Sequence, residues 1–143
     1  MEKKEIILGA LAAGNCDMHT PVQIQKLLFL IDKNIAQSIG GPFFDFQPYA
    51  YGPFDKQICD LLGLLNQEGD VEAIRNPSLK WVKYRLTAQG QKKGEKIINS
   101  IGKDAKEYIV KLSKFVRSLN FAELVSAIYK AYPEMRINSV FQD

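Results

Sequence analysis

Pro42-Phe43-Phe44-Asp45-Phe46-Gln47-Pro48-Tyr49-Ala50-Tyr51-Gly52-Pro53-Phe54-Asp55 is the stretch of sequence that decides how the rest of the chain is organised. It holds six of the fifteen aromatic residues of the protein and three of its six prolines. Proline lacks an amide donor and restricts the residue before it, so the stretch is predicted to be a loop. Loops are normally polar and run over the surface. This aromatic loop must therefore plug the core between two helices or present an apolar surface to a partner.

Two helices are predicted before the loop. Residues 2–13 form the first, and Gly14-Asn15 ends it. Thr20-Pro21-Val22-Gln23 is a capping box with proline at the first helical position, which predicts the start of the second. That helix is expected to end at Gly40-Gly41 and to be covered on more than one side. Its core-facing stripe contains Ile24, Leu27, Leu28, Ile31 and Ile35, and Phe29 and Leu30 broaden it.

A third helix and a hairpin are predicted after the loop. Gly52-Pro53 is expected to open the helix, with Asp55 near the positive end of its dipole. The helix carries apolar residues at i, i+3, i+4 and i+7 from Ile58. The segments 71–74 and 81–86 are rich in β-formers and are separated by Asn76-Pro77-Ser78, which predicts an antiparallel hairpin.

Helices are predicted again in the C-terminal part. Thr87 caps the next helix, and a break at Gly102-Lys103-Asp104 separates it from a strongly amphipathic one. Asn120-Phe121-Ala122-Glu123 is a second capping box, and its helix runs to Pro133. The tail that follows retains apolar residues with which it could dock: Ile137, Val140 and Phe141.

This order of elements predicts a mainly α fold with a small antiparallel β-hairpin, like a winged helix-turn-helix domain. One domain is expected over residues 1–143, with a winged-helix-like core at about 1–101, C-terminal helices at about 104–132 and a tail at 133–143. The phrase Lys83-Tyr84-Arg85-Leu86-Thr87-Ala88-Gln89-Gly90 resembles the exit from the wing in many winged-helix regulators.

The composition indicates a cytoplasmic globular protein. Apolar residues make up 46% of the chain and charged residues 24%. The apolar run near residues 27–31 is far too short to span a bilayer, and the N-terminus has no signal-peptide pattern. Cys16 and Cys59 lack motif spacing and are expected to be reduced thiols, Cys59 as a buried or half-buried side chain.

The sequence favours a protein that is not an enzyme and that has no metal or cofactor. Cys16 and His19 have the spacing of two metal ligands, but a zinc site needs at least one more ligand, and no other Cys or His pair exists. Asp55 and Asp60 stand five residues apart and point to different helix faces, so they do not form an acid–base pair. An enzyme whose site the sequence does not reveal is a third reading.

Charge is unevenly distributed and bears on nucleic-acid binding. The net charge is +3, but residues 53–70, which include the third helix, carry −3, and residues 71–96 carry +5. An acidic recognition helix would be repelled by phosphates. The basic segment is either a solvated surface or a backbone-binding surface, which makes a winged-helix DNA-binding regulator the alternative function. The residues of this alternative are Lys56, Gln57, Arg75, Lys80, Lys83, Arg85, Lys92 and Lys93.

Gln25-Lys26-Leu27-Leu28-Phe29-Leu30-Ile31, followed by Phe44, Tyr49 and Tyr51-Gly52-Pro53-Phe54, resembles the Panacea domain family. That family includes SocA-type antitoxins and many phage-associated proteins. Its pattern is a lysine–leucine–leucine–tyrosine helix, an aromatic loop ending in tyrosine or tryptophan–glycine–proline, and a helix that follows at once. Two features depart from it. Asp32-Lys33-Asn34 stand where glycine–tryptophan often follows, and the Tyr132-Pro133-Glu134 ending looks closer to a less characterised sister group.

The resemblance implies a protein-binding function. Family members neutralise diverse toxins, largely by direct binding, and the SocA type delivers its toxin to a protease. The implied partner is therefore a protein, with a homodimer left open and no membrane involved. Phe44, Phe46 and Phe54 are expected to anchor the loop in the core, and Tyr49 and Tyr51 to be exposed, because a hydroxyl needs a polar partner. Partner contact is predicted at Tyr49, Tyr51, Gly52, Pro53 and Phe54.

Overall fold

The computed structural model describes residues 1–15, 17–78 and 81–142, and it shows a mainly helical protein with two small antiparallel strand pairs. The elements are α1 (Lys3–Ala12), α2 (Pro21–Asn34), α3 (Ala36–Ile39), β1 (Gln47–Tyr49), β2 (Gly52–Phe54), α4 (Lys56–Gln67), β3 (Val71–Asn76), β4 (Trp81–Leu86), α5 (Ala88–Ser100), α6 (Lys103–Ser118) and α7 (Phe121–Ala131), followed by a 3₁₀ turn (Pro133–Arg136). The mainly α fold with a small hairpin is thus confirmed.

Helix α2 lies at the centre of the core. Every residue from 24 to 31 is buried, including the polar residues Gln25 and Lys26. Helices α1, α6 and α7 and the strands β2 and β4 all pack against α2, which confirms that it is covered on more than one side. The large side chains at its centre, such as Phe29, are fully buried.

The predicted helix caps are present. The Thr20 hydroxyl accepts a hydrogen bond from the Gln23 amide, and the Gln23 side chain accepts one from the Thr20 amide at 2.8 Å. Asn120 and Glu123 make the same reciprocal pair at the start of α7. Thr87 accepts from the Gly90 amide at 3.0 Å. These caps satisfy amides that have no partner within their helix.

Strands β3 and β4 form the predicted hairpin, which we call the wing. Their register pairs Val71 with Leu86 and Asn76 with Trp81. The connector before α2 adds a bridge to the wing, because the amides and carbonyls of His19 and Tyr84 exchange hydrogen bonds of 2.8 Å. Helix α5 then packs closely on α1. A Cβ at Gly94 would lie 2.5 Å from the Leu8 carbonyl oxygen, so this approach requires glycine.

Three details of the prediction are wrong. The aromatic stretch is not wholly a loop, since it contains the paired strands β1 and β2. The helix after it does not open at Gly52-Pro53: those residues belong to β2, and Asp55 is the N-cap of α4. The second helix ends at Asn34, and the short α3 carries the chain to Gly40, whose φ is +89°.

No helix within the described ranges is both long enough and apolar enough to cross a membrane.

Candidate functional site

Strands β1 and β2 form a second hairpin around a two-residue turn, Ala50 and Tyr51. Tyr49 pairs with Gly52, and Pro48 pairs with Pro53. In an antiparallel ladder, hydrogen-bonded and non-hydrogen-bonded pairs alternate, so the two prolines fall where the amide would point away from the other strand. Proline at these positions therefore removes no bond between the strands. This is why a stretch with the composition of a loop forms a strand pair.

The outward-facing carbonyls of this hairpin are bound by other parts of the chain. The Lys26 ammonium donates to the Pro53 carbonyl oxygen at 3.2 Å, and the Asn138 side chain donates to that of Pro48 at 2.9 Å. At the turn, the Val140 amide donates to the Ala50 carbonyl oxygen at 2.9 Å. Helix α2 and the C-terminal tail therefore hold the hairpin from its two edges.

The phenylalanines before the hairpin are anchored less deeply than predicted. Phe43 is buried, and the half-buried Phe44 and Phe46 pack against the core, whereas the half-buried Phe54 lies against Tyr49 and is not part of it. The amides of Phe43 and Phe44 each donate to the Asp32 carboxylate at 2.9 Å, which fixes the entry to the stretch. Burial raises the pKa of Asp32. Phe46 packs edge-on against Phe29, with ring centroids 5.4 Å apart.

The hairpin presents a group of exposed apolar side chains. Tyr49 is 52% exposed and Tyr51 44%, which confirms that the tyrosines are the exposed aromatic residues of the stretch. The Tyr51 ring contacts Phe121 of α7 edge-on at 5.1 Å, and Phe121 is itself 45% exposed. Val140, bound to the turn through its amide, is 66% exposed. We call Tyr49, Tyr51, Phe121 and Val140 the aromatic surface.

A cavity of about 290 Å³ opens beside this surface, between the hairpin and the first turns of α2. Its walls are almost wholly apolar, and Lys26 is the only charged residue among the described residues that line it. Burial lowers the pKa of Lys26 to about 8. We call it the hairpin cavity. Its lining residues are Pro21, Val22, Gln25, Lys26, Tyr49, Ala50, Tyr51, Gly52 and Phe54.

The residues predicted to contact a partner are thus brought together, but they do not play equal parts. Tyr49 and Tyr51 are exposed, and Phe54 is half-buried against the Tyr49 ring at 5.1 Å. Gly52 and Pro53 are buried. Gly52 has a φ of +104°, which turns the chain into β2. These two residues therefore shape the hairpin, and their contact with a partner stays a prediction.

The basic residues of the alternative function are partly engaged within the protein. Arg85 pairs with Glu72 at 3.0 Å, and Lys93 pairs at 3.0 Å with the buried carboxylate of Asp70. The Lys83 ammonium lies 5.2 Å from the centre of the Trp81 ring. Arg75 and Lys92 are exposed, whereas Lys80 lies outside the described residues. Arg85 and Lys93 are therefore less available to phosphates than the sequence alone indicates.

Helix α4 also fits a DNA-reading role poorly. Asp55 caps the helix by accepting from the Gln57 amide at 2.8 Å, and the Gln57 side chain accepts a hydrogen bond from Lys3. Lys56 and Asp60 are exposed on the same helix. Within the described ranges, no cation lies within ion-pair distance of Asp60, so its charge would meet the phosphates directly.

His19 and Cys59, the described residues that were considered for metal or thiol chemistry, belong to no cluster of metal-ligand side chains among the described residues. His19 is fully buried, and burial, with a smaller contribution from Arg117, lowers its pKa to about 4. Cys16 lies outside the described residues, and the described ones hold no group of three or more metal-ligand side chains. Cys59 is a free thiol that is exposed, not buried, and the desolvation it does experience raises its pKa.

No family model matches the sequence, and no curated protein matches it either. The resemblance to the Panacea domain family therefore stays a prediction.

Sequence reasoning missed three contributors to the site. Phe121 and Val140 are distant in sequence, and only the fold brings them to the hairpin. Lys26 did carry a signal. It stands between Ile24 and Leu27 in a helix predicted to be covered on several sides, and such a helix must bury even its polar residues.

Proposed function

We propose that this chain is a non-enzymatic protein-binding module that acts in the cytoplasm and captures its partner through the aromatic surface. The observation that carries the proposal is the grouping of four exposed apolar side chains from three separate segments of the chain. Large exposed apolar groups are costly in water, and clustered ones commonly mark interaction sites. Tyrosine is among the residues most enriched at interface hot spots.

The hairpin is well suited to this role because it is held rigidly. Lys26, Asn138 and Val140 bind its carbonyls from both edges. Tyr49 at the end of β1 and Tyr51 in the turn are therefore presented on a fixed backbone, and little conformational entropy is lost when a partner binds them.

The partner we propose is a protein toxin, neutralised by direct contact or handed to a protease. This part of the proposal comes from the resemblance to antitoxins of the Panacea type. An experiment on growth tests it. A neighbouring open reading frame is expressed alone, and then together with this chain, in a neutral host. The proposal predicts toxicity alone and rescue by the native chain.

Two double variants show whether the aromatic surface is responsible for rescue. Tyr49→Ala with Tyr51→Ala should lose rescue. Tyr108→Ala with Phe115→Ala, which removes two exposed rings elsewhere, should keep it. Rescue by both variants, or by neither, would contradict the proposed surface. A native chain that fails to rescue would contradict the antitoxin role.

The alternative, DNA binding by the basic segment, is tested by fluorescence anisotropy on random duplex at low salt. Backbone binding of this kind would weaken steeply with added salt. Tight, salt-sensitive binding that Lys83→Ala with Lys92→Ala removes would favour the alternative.

A further inference from the structure

We propose that the hairpin cavity is a binding site for a small apolar group that carries one carboxylate, with the carboxylate placed on the Lys26 ammonium. This inference goes beyond the protein-binding function and does not rest on it, because it is argued from Lys26 and the cavity walls of the free chain.

The charge of Lys26 is the first step of the argument. Its side chain is only 3% exposed, and no carboxylate of the described residues lies within ion-pair distance of its ammonium. An ammonium has three donors, and the Pro53 carbonyl oxygen accepts from one of them. A buried cation without a counterion is costly, so an anion supplied from outside would be strongly stabilised here.

The amide side chain that lines the cavity, Gln25, does not compete for that anion. The Gln25 amide donates to the Asp55 carbonyl oxygen and accepts from the Asp55 amide, both at 3.0 Å. Its hydrogen-bonding groups are therefore already used to fix the start of α4. Lys26 remains as the side chain that can recognise a ligand by charge.

The shape of the cavity defines the rest of the ligand. Its volume of about 290 Å³ lies at the small end of ligand pockets, which begin at roughly 300 Å³. Val22, Tyr49 and Phe54 provide apolar walls suited to one aromatic ring or one branched aliphatic group. An internal peptide segment would bury amides there without partners. Pro21 and Val22 also place the cavity at the first turn of α2, where the helix dipole favours an anion.

Two sources offer this chemistry: a free carboxylic acid, and the C-terminal residue of a protein chain, where an apolar side chain and a carboxylate occur together. Matched probes distinguish them. Phenylacetate and phenylacetamide represent the free acid and its uncharged analogue. N-acetylphenylalanine and its amide represent a chain end and the same residue without the charge.

The experiment is isothermal titration calorimetry of the full chain with the four probes. We expect at least one acid to bind, and to bind about tenfold or more tightly than its amide, since a hydrogen bond to a charged group stabilises more than a neutral one. Lys26→Met, which keeps an unbranched side chain and removes the charge, should lose this preference. Lys111→Met, at an exposed lysine of α6, should keep it.

Each outcome decides the proposal. Binding by phenylacetate assigns the site to free acids, and binding by N-acetylphenylalanine alone assigns it to chain ends. If Lys26→Met does not fold, Val22→Phe replaces it, because a larger side chain in the cavity wall should abolish acid binding. Equal affinity of acid and amide, acid binding that persists in the altered cavity, or no binding of either acid at millimolar concentration would overturn the proposal.

Discussion

The two hairpins of this protein are both antiparallel, but they differ in the chemistry of their exposed side chains. The wing, β3 and β4, carries charges that pair with one another, since Glu72 pairs with Arg85, and next to the wing Asp70 pairs with Lys93 of α5. The hairpin of β1 and β2 carries Tyr49 and Tyr51, which are exposed beside a cavity lined by Lys26, a buried lysine with no ion-pair partner among the described residues. Charged side chains of the wing are in part paired with one another, whereas the tyrosine side chains of the other hairpin are exposed. This difference is the reason for our proposal that the hairpin of β1 and β2 is the one that binds a partner.

The largest expected effect concerns the hairpin with exposed tyrosines. Gly52→Val should lower the free energy of unfolding by about 4 kcal/mol, because a β-branched residue is strained at a φ of +104° and its side chain would crowd the ring of Tyr129 and the end of Lys26. Urea denaturation followed by circular dichroism measures the loss.

Gly63→Ala is the matched control, since Gly63 lies in helix α4 with open space around it. Alanine there should stabilise the protein by about 0.5 to 1 kcal/mol. A Gly52→Val variant as stable as the native chain would show that the turn does not depend on its glycine and that the hairpin is not rigid.

The next effect concerns the wing and its pH dependence. His19, hydrogen-bonded through its backbone to β4, has its pKa lowered to about 4 by burial, and the Arg117 charge adds to this while Asp17 opposes it. The unfolded chain, with a His pKa of about 6.5, takes up the proton first. Stability from the neutral imidazole is therefore complete above about pH 6.5 and is lost as the pH falls toward 4. The loss is expected to reach about 3 kcal/mol.

The measurement is the free energy of unfolding of the native chain and of His19→Gln from pH 7.5 downward. The variant lacks this titration, so the difference between the two chains should shrink as the pH falls. A difference independent of pH would mean that His19 is not kept neutral by its burial in the fold.

The smallest effect also lies in the wing. Arg85→Ala should change the free energy of unfolding by less than about 0.5 kcal/mol, because the Arg85 and Glu72 side chains are 42% and 52% exposed and water screens their attraction. Thermal unfolding at low and at high salt checks this. A larger, salt-sensitive loss would show that the wing depends on its charge pairing, and it would weaken the contrast between the hairpins.

The sequence predicted the wing well and the other hairpin poorly, for physical reasons. The wing follows local rules: β-forming residues on both sides of Asn76-Pro77-Ser78 and a Thr87 cap at its exit. Caps such as Thr20 with Gln23 are equally local and were found at their predicted places. Strands β1 and β2 contain prolines, and nothing local shows that these face each other at a non-hydrogen-bonded position.

In the candidate site, too, some features follow from the local sequence and others depend on tertiary packing. The exposure of Tyr49 and Tyr51 followed from the chemistry of their hydroxyl groups, which is local. Phe121 and Val140 reach the hairpin only through the packing of α7 and the tail. The hydrogen-bond partner of Lys26 could not be predicted from the sequence. It is a backbone carbonyl of β2, which a residue of any type would supply, so only the packing of β2 on α2 reveals it.

The most direct test of the account is the dissociation constant of the purified partner for three forms of this chain. These are the native protein, the Tyr49→Ala, Tyr51→Ala variant, and the Tyr108→Ala, Phe115→Ala control, with melting temperatures measured alongside. The account predicts that the control binds like the native chain, and that the hairpin variant binds about a hundredfold more weakly or worse while melting within a few degrees of it. Equal affinity in all three forms, or a loss confined to the control, would contradict the claim that the aromatic surface binds the partner.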